Sequence, residues 1–306
     1  SAGTFDVGTS TVTASGATDI DGTLQIGTGE FNANSTFDAT GGTIDFTGAG
    51  DLKVSTASPV FGTLDQTMGT VTFDGSSIQY ISNNTSFNDV VVNNSEYYVD
   101  YTSKYNQNSI MVGQGCDVTM FDDSEGNIPV PEEFNAINGP IIGYVGSLTT
   151  LRLDIELIEF IAKQRQDWNI VLVGSEDENF KQSNLHQLQN VHFLGNKPAD
   201  QLASYIKGFD VAINPQFVNE ITIGNYPRKI DEYLAMGKPV VATKTKAMQM
   251  FKDFTYLGKT KEDYVKLIEK ALTEHSATKA KQQIEFANKH TWANSVKDIY
   301  MAMETT

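Results

Sequence analysis

Basic residues are nearly absent from the first 94 positions. Lys53 stands alone there against ten aspartates and glutamates, so more than half of the net charge of −16 lies in the first third of the 306-residue chain. An acidic balance of this size argues against nucleic acid or an anionic membrane as the main partner, because phosphate attracts basic surfaces. Cysteine is reduced to Cys116, which excludes an internal disulfide and a cysteine-based zinc cluster. Long apolar runs are missing too. The uncharged stretch 139–151 is too short to span a bilayer and is interrupted by glycine, so no membrane span is expected. No signal peptide and no initiator methionine open the chain, as expected of a mature product or a fragment. The four histidines, at 186, 192, 275 and 290, are scattered and form no ligand pair, so a bound metal is not expected. No phosphate loop of the G-x-x-x-x-G-K-[ST] type, no G-x-G-x-x-G, no G-x-S-x-G and no H-E-x-x-H occurs, which removes support for ATPase, NAD-dependent, serine-hydrolase and zincin readings.

What is present changes character near Asn94. Before it, segments starting at Gly3, Gly22, Thr36 and Gly62 share one grammar: short alternating Thr/Val/Phe/Ile runs separated by Gly, Asn, Asp or Ser. Alternation predicts strands, the small polar residues predict turns, and the recurrence predicts a stack of similar coils or hairpins. The expectation is an all-β, solenoid-like or sandwich-like module over 1–94. Residues 95–125 stand between the two parts, and the family resemblance given below implies a linker helix and crossover there.

Beyond it, strand and helix alternate. IIGYVGS (141–147), NIVLVG (169–174), VHFLG (191–195), DVAINP (210–215) and PVVA (239–242) read as buried strands, with helical patterns between them. Thr260 opens a T-x-x-D capping pattern with Asp263 before an amphipathic helix through Tyr264, Ile268 and Ala271. Repeated βα units predict a Rossmann-like parallel sheet over 126–306, with ligands bound outside the carboxyl ends of its strands.

Several residues fall at those ends. Gly146 closes the first strand, where a missing side chain lets backbone approach a ligand, and Arg152 follows near the next helix start, suited to phosphate oxygens. In NYPRKIDEYLAMGKPVVATKT (225–245), Pro227 is placed in the first helical turn and Gly237 just past the end. Arg228 and Lys229 sit where the helix dipole disfavours cations unless an anion joins them. Glu232 could accept two hydroxyl hydrogen bonds from a vicinal diol. A solvated charged face is the competing reading, and spacing alone does not separate the two.

The order GYVGSLTTLRLD, DWNIVLVG, NVHFLGNKPADQLASYIKGFDVAINP, NYPRKIDEYLAMGKPVVAT resembles the C-terminal, donor-binding half of GT-B fold glycosyltransferases related to families 1 and 4. Residues 95–121 resemble the linker into that half, and TWANSVKDIYMAM (291–303) its final helix. The resemblance implies recognition of a nucleotide-sugar without a metal or other cofactor, and transfer to a glycan or lipid-linked acceptor. It places Glu232 on the donor ribose, Gly146 and Arg152 at the diphosphate with Lys229 beside them, and the backbone of Phe193, Leu194 and Gly195 at the base. A second glutamate common in family 4 would fall at position 224, which is glycine. The stretch 70–95 resembles repeats of bacterial cell-surface proteins of the Bacteroidetes kind.

Where GT-B enzymes carry an acceptor-binding half, this chain carries β repeats. The expected function is therefore a donor-binding domain incomplete for catalysis. A cell-surface structural protein with a non-catalytic Rossmann-like half, or a nucleotide-sugar epimerase, stand as alternatives. The glycosyltransferase half points to the cytoplasm and the repeats to the cell surface. Apolar residues of the linker helix (Tyr97, Tyr101, Tyr105) and of the final helix (Trp292, Val296, Ile299, Tyr300) would lack their usual partner, favouring self-association.

Overall fold

The computed structural model describes residues 3–65, 68–73 and 91–304. They divide into two compact units, the first formed by residues up to Val91 with Tyr101–Ser109, the second by Val92–Asp100 with the residues from Ile110 onward.

In the first unit, the short strands between Thr4 and Phe73, among the described residues, pair in parallel. β1 (Thr4–Asp6), β4 (Thr23–Ile26), β7 (Thr43–Phe46) and β9 (Thr63–Asp65) form one sheet, with Thr4 beside Thr23, Thr23 beside Thr43 and Thr43 beside Thr63. β2 (Thr11–Ala14), β5 (Glu30–Ala33), β8 (Asp51–Val54) and β10 (Thr70–Phe73) form a second, and β3 (Thr18–Asp19) pairs with β6 (Phe37–Asp38). The hairpin alternative is thus corrected: neighbouring strands along the chain belong to different sheets, and each pairs with its counterpart about twenty residues on. Period-2 patterning explains the core, because Leu24, Ile26, Phe31, Ala33, Ile44, Phe46, Leu52 and Val54 all turn inward. Glycine at the strand entries is a steric requirement. A Cβ on Gly22 would stand 2.2 Å from Gly3 O, and one on Gly42 2.0 Å from Ile20 O. Most of the stretch resembling surface-protein repeats (74–90) lies outside the described residues.

The second unit opens with β11 (Val91–Asn93), α1 (Glu96–Thr102) and β12 (Ser109–Met111) around the boundary, and continues as an α/β domain. β13 (Ile141–Val145), β14 (Asn169–Val173), β15 (Val191–Gly195), β16 (Val211–Asn214), β17 (Val240–Thr243) and β18 (Tyr256–Gly258) form one parallel sheet ordered β15-β14-β13-β16-β17-β18. Both faces are covered, which is why the strands read as continuous apolar runs. α2 (Ile155–Gln164) and α6 (Lys261–Glu274) pack with Ile142, Tyr144, Ile170, Leu172, Val211 and Ile213. The opposite face, Val145, Val171, Val173, Ala212, Val240 and Ala242, meets α4 (Leu202–Lys207), α5 (Lys229–Ala235) and α7 (Ala277–Ala287). α3 (Glu178–Lys181) and α8 (Trp292–Glu304) complete the set.

Local signals explain the ends. Thr260 and Asp263 form the expected reciprocal capping box on α6. Gly237 takes φ +61° after α5, and Lys238 N–H returns to Tyr233 O, as a left-handed helix terminus requires. Pro227 stands outside the helix, two residues before its start, rather than in the first turn as expected. α5 starts at Lys229, and Pro227 contributes its carbonyl to Ile230 N–H at 2.8 Å instead of a first-turn position.

Candidate functional site

The strand order reverses between β13 and β16, and a crevice outside the carboxyl ends of strands at such a switch point is where ligands bind in open parallel sheets. Gly146 lies there, immediately after β13, with φ +138°. Its missing side chain is required: an added Cβ would stand 3.0 Å from Tyr144 Oη and 3.1 Å from Lys229 Nζ. Gly174, at the end of β14, is equally constrained, since a Cβ would fall 1.9 Å from Gly146 O. Two glycines therefore bring the backbones of two strand ends together under one lysine.

Lys229 Nζ donates to Tyr144 Oη at 2.8 Å and lies 4.6 Å from the centre of that ring. Among the described residues it has no carboxylate within ion-pair distance. Glu232, one turn along α5, is 8% exposed, and its Oε1 accepts from Arg228 Nε at 3.1 Å. Burial raises its pKa, while the charges of Arg228 and Lys229 pull it down. The structure thus gathers Gly146, Lys229 and Glu232 on one side of the switch point.

Asp231, its neighbour, has a different role. It is wholly buried, accepts from Tyr226 Oη at 2.7 Å, and has His290 Nδ1 2.7 Å from its other oxygen. Burial raises its pKa, and His290 is the main opposing influence. Cys116 N–H donates to His290 O at 2.8 Å, so this acid ties α5 to the start of α8 and to the crossover segment. Burial, with the nearby carboxylates Glu232 and Asp231, pushes the Cys116 thiol up to about 12, which leaves it protonated and unreactive.

Arg152 is exposed in the turn before α2, and among the described residues its guanidinium makes no ion pair. Its backbone is fixed, because its carbonyl accepts from Phe217 N–H at 2.9 Å in the loop after β16. The α2 start is already capped by Asp154, which accepts from Leu157 N–H at 2.9 Å. Asp177 holds the preceding loop through Thr150 N–H at 2.8 Å. Phe193 and Leu194 direct their side chains into the two cores, with Phe193 stacked on His186 at 3.9 Å. A bulge opposite Val173 leads to Gly195, exposed at φ +71°, whose carbonyl accepts from Gly174 N–H at 2.9 Å.

Two features escaped sequence reading. Position 224 is glycine because α1 lies against it: a Cβ would stand 2.4 Å from Tyr97 Cδ1 and 2.8 Å from Tyr98 Cζ, while Ser95 Oγ donates to Gly224 O at 2.8 Å. The expectation that the linker helix lacks a partner is corrected for Tyr97. Tyr101 and Tyr105 remain exposed, as do Trp292, Val296 and Tyr300 on α8. The second feature is a lysine-rich cleft beyond β17 and β18, whose residues follow no recognisable spacing. No group of three or more His, Cys, Asp or Glu fit to hold a metal ion occurs among the described residues. No helix there is long and apolar enough to cross a membrane.

The sheet order, the paired helical layers and the switch-point glycines define one Rossmann-like half of a GT-B fold. Residues 139–274 match the family model described as "Glycosyl transferases group 1". The chain is 30% identical over 143 residues to the putative teichuronic acid biosynthesis glycosyltransferase TuaH of Bacillus subtilis, covering 45% of this chain and 36% of that one. It thus spans little more than a third of this curated relative's length. Among solved structures it is similar to HepE of Anabaena in complex with UDP (TM-score 0.60, 19% identity, 72% of this chain and 65% of that one). It is also similar to sucrose-phosphate synthase of Thermosynechococcus elongatus (TM-score 0.56, 18% identity, 71% and 58%).

Proposed function

We propose that the α/β unit binds the nucleoside diphosphate of a sugar donor, as the donor half of a glycosyltransferase. The observation that carries this is the Lys229 ammonium, held over the Gly146 backbone at the switch point with no carboxylate partner among the described residues. In a chain of net charge −16, a cation kept unpaired at a strand end is poised for an anion. Lys229 and the backbone near Gly146 would take the diphosphate, with Arg152 reaching in from its turn. Glu232 would accept the ribose hydroxyls, and the 193–195 backbone would hold the base. The bound UDP of HepE, a relative in fold, supports a uridine nucleotide as the first to test.

On this reading the α/β unit supplies the donor side. Transfer needs an acceptor hydroxyl held at near-attack distance, positioning that contributes roughly 7–11 kcal/mol of barrier lowering in well-oriented systems. The β repeats offer no cationic surface beyond Lys53 over their first 94 residues, and the shared stretch with TuaH covers 36% of that relative. The reading is therefore of a domain that recognises a nucleotide-sugar and transfers no sugar by itself. Thermal unfolding with UDP, UDP-glucose, GDP and ADP tests recognition: a midpoint raised by one nucleoside diphosphate and not by its nucleoside supports it. No shift with any of them at millimolar concentration opposes it.

A further inference from the structure

A cavity of about 550 Å³ opens outside the carboxyl ends of β17 and β18, on the far side of β16 from Gly146. Lys244 follows β17 directly, Lys259 follows β18, and Lys246 lies two residues beyond Lys244; all three line it. Val218 and Ile223 from the loop after β16, with the ring of Tyr97 from α1, supply its apolar wall. No aspartate or glutamate lines it. Lys246 is paired with Asp100, whereas the ammonium groups of Lys244 and Lys259 have no carboxylate partner among the described residues. Asp263, the acid nearest to Lys259 in the chain, is engaged by the backbone N–H groups of Lys259 and Thr260 in capping α6.

Two ammonium groups without a carboxylate partner, beside a third paired with Asp100, around a lining that holds no acid are out of keeping with a chain of net charge −16. Low-dielectric walls lined by one sign of charge concentrate counter-ions. The apolar wall narrows the choice of anion. Inorganic phosphate gains nothing from Tyr97, Val218 and Ile223, whereas a pyranose carrying a carboxylate or phosphate can lay its C–H face on them and direct its charge to the lysines. The volume falls within the roughly 300–1,000 Å³ of small-ligand sites. A second cavity of about 480 Å³ adjoins it through the shared residues Val218 and Lys259; Asp154 and Glu262 line it, so it offers room for a neighbouring neutral sugar unit.

We propose that this cleft binds an acidic carbohydrate, through Lys244 and Lys259 on its anionic group and Tyr97 with Val218 and Ile223 on its ring. The inference does not rest on nucleotide binding at Gly146 and is read without a nucleotide.

The test is amide chemical-shift titration of the full chain with methyl glucuronide, methyl glucoside and inorganic phosphate. The glucuronide should move the amides of Lys244, Thr245 and Lys259, bind at least about tenfold more tightly than the glucoside, and weaken as salt shortens the screening length. Lys244→Glu with Lys259→Glu should abolish the response at an unchanged thermal midpoint. Lys266→Glu with Lys281→Glu, the same charge change on exposed helix positions, should keep it. Tyr97→Ala should weaken the glucuronide and leave phosphate alone. Equal affinity for glucuronide and glucoside, phosphate binding as well as glucuronide, or no response at these amides each overturns the proposal.

Discussion

Asp231 and Glu232 are adjacent acids on one short helix, and the structure separates them by what lies opposite. Asp231 is enclosed by Tyr226 and His290, so it is part of the scaffold; Asp231→Ala strands a buried hydroxyl and an imidazole. A loss of about 2–4 kcal/mol in urea unfolding is expected from two unsatisfied partners. Glu232 is different, because its carboxylate is buried against a raised pKa and held by cations rather than by neutral partners. A carboxyl whose folded pKa lies above the unfolded value contributes stability that is complete below the unfolded pKa and is lost as pH rises through the folded one. Ionisation of Glu232 therefore weakens the fold, and Glu232→Gln should leave the thermal midpoint equal or higher while nucleotide affinity drops about tenfold or more. Affinity in the parent chain should fall as pH drops through that raised pKa, above the ordinary glutamate range. Helical spacing leaves both acids off the Ile230–Leu234 face, so the sequence identified the pair. It gave no role to Asp231, because His290, which decides the matter, is 59 residues away.

At the scale of elements, the alternation of βα segments, the capping box at Thr260 and the αL glycine at 237 were all legible, since each is a local signal. The direction of pairing in the repeats was not, because strand alternation is the same in hairpins and in parallel stacks. The glycines carry that information sterically. Gly42→Ala should cost about 1–3 kcal/mol by forcing a Cβ onto Ile20 O. Gly16→Ala, with open space around it and ordinary φ, should stay within about 0.5 kcal/mol; equal effects in thermal unfolding would contradict the parallel stacking. The packing of α1 on Gly224 was also hidden, being a contact between segments far apart in sequence. Gly224→Glu, which introduces the residue common in family 4, should displace Tyr97 and Tyr98 and speed hydrogen exchange of the α1 amides. Unchanged protection there would mean that α1 does not depend on this contact.

For the whole molecule, Trp292, Val296 and Tyr300 recur at one-turn spacing on α8, with Trp292 52% and Tyr300 61% exposed. An apolar stripe of this kind marks an interaction surface. Concentration-dependent association is expected in light scattering, and Trp292→Glu with Tyr300→Glu should abolish it. The most direct test of the account is calorimetric titration of UDP into the intact chain, Lys229→Ala and Glu232→Gln. The account predicts binding by the parent chain and at least about tenfold weaker binding by each variant, with folding retained. Parent-like affinity in both variants would place the nucleotide away from the β13 switch point and contradict it.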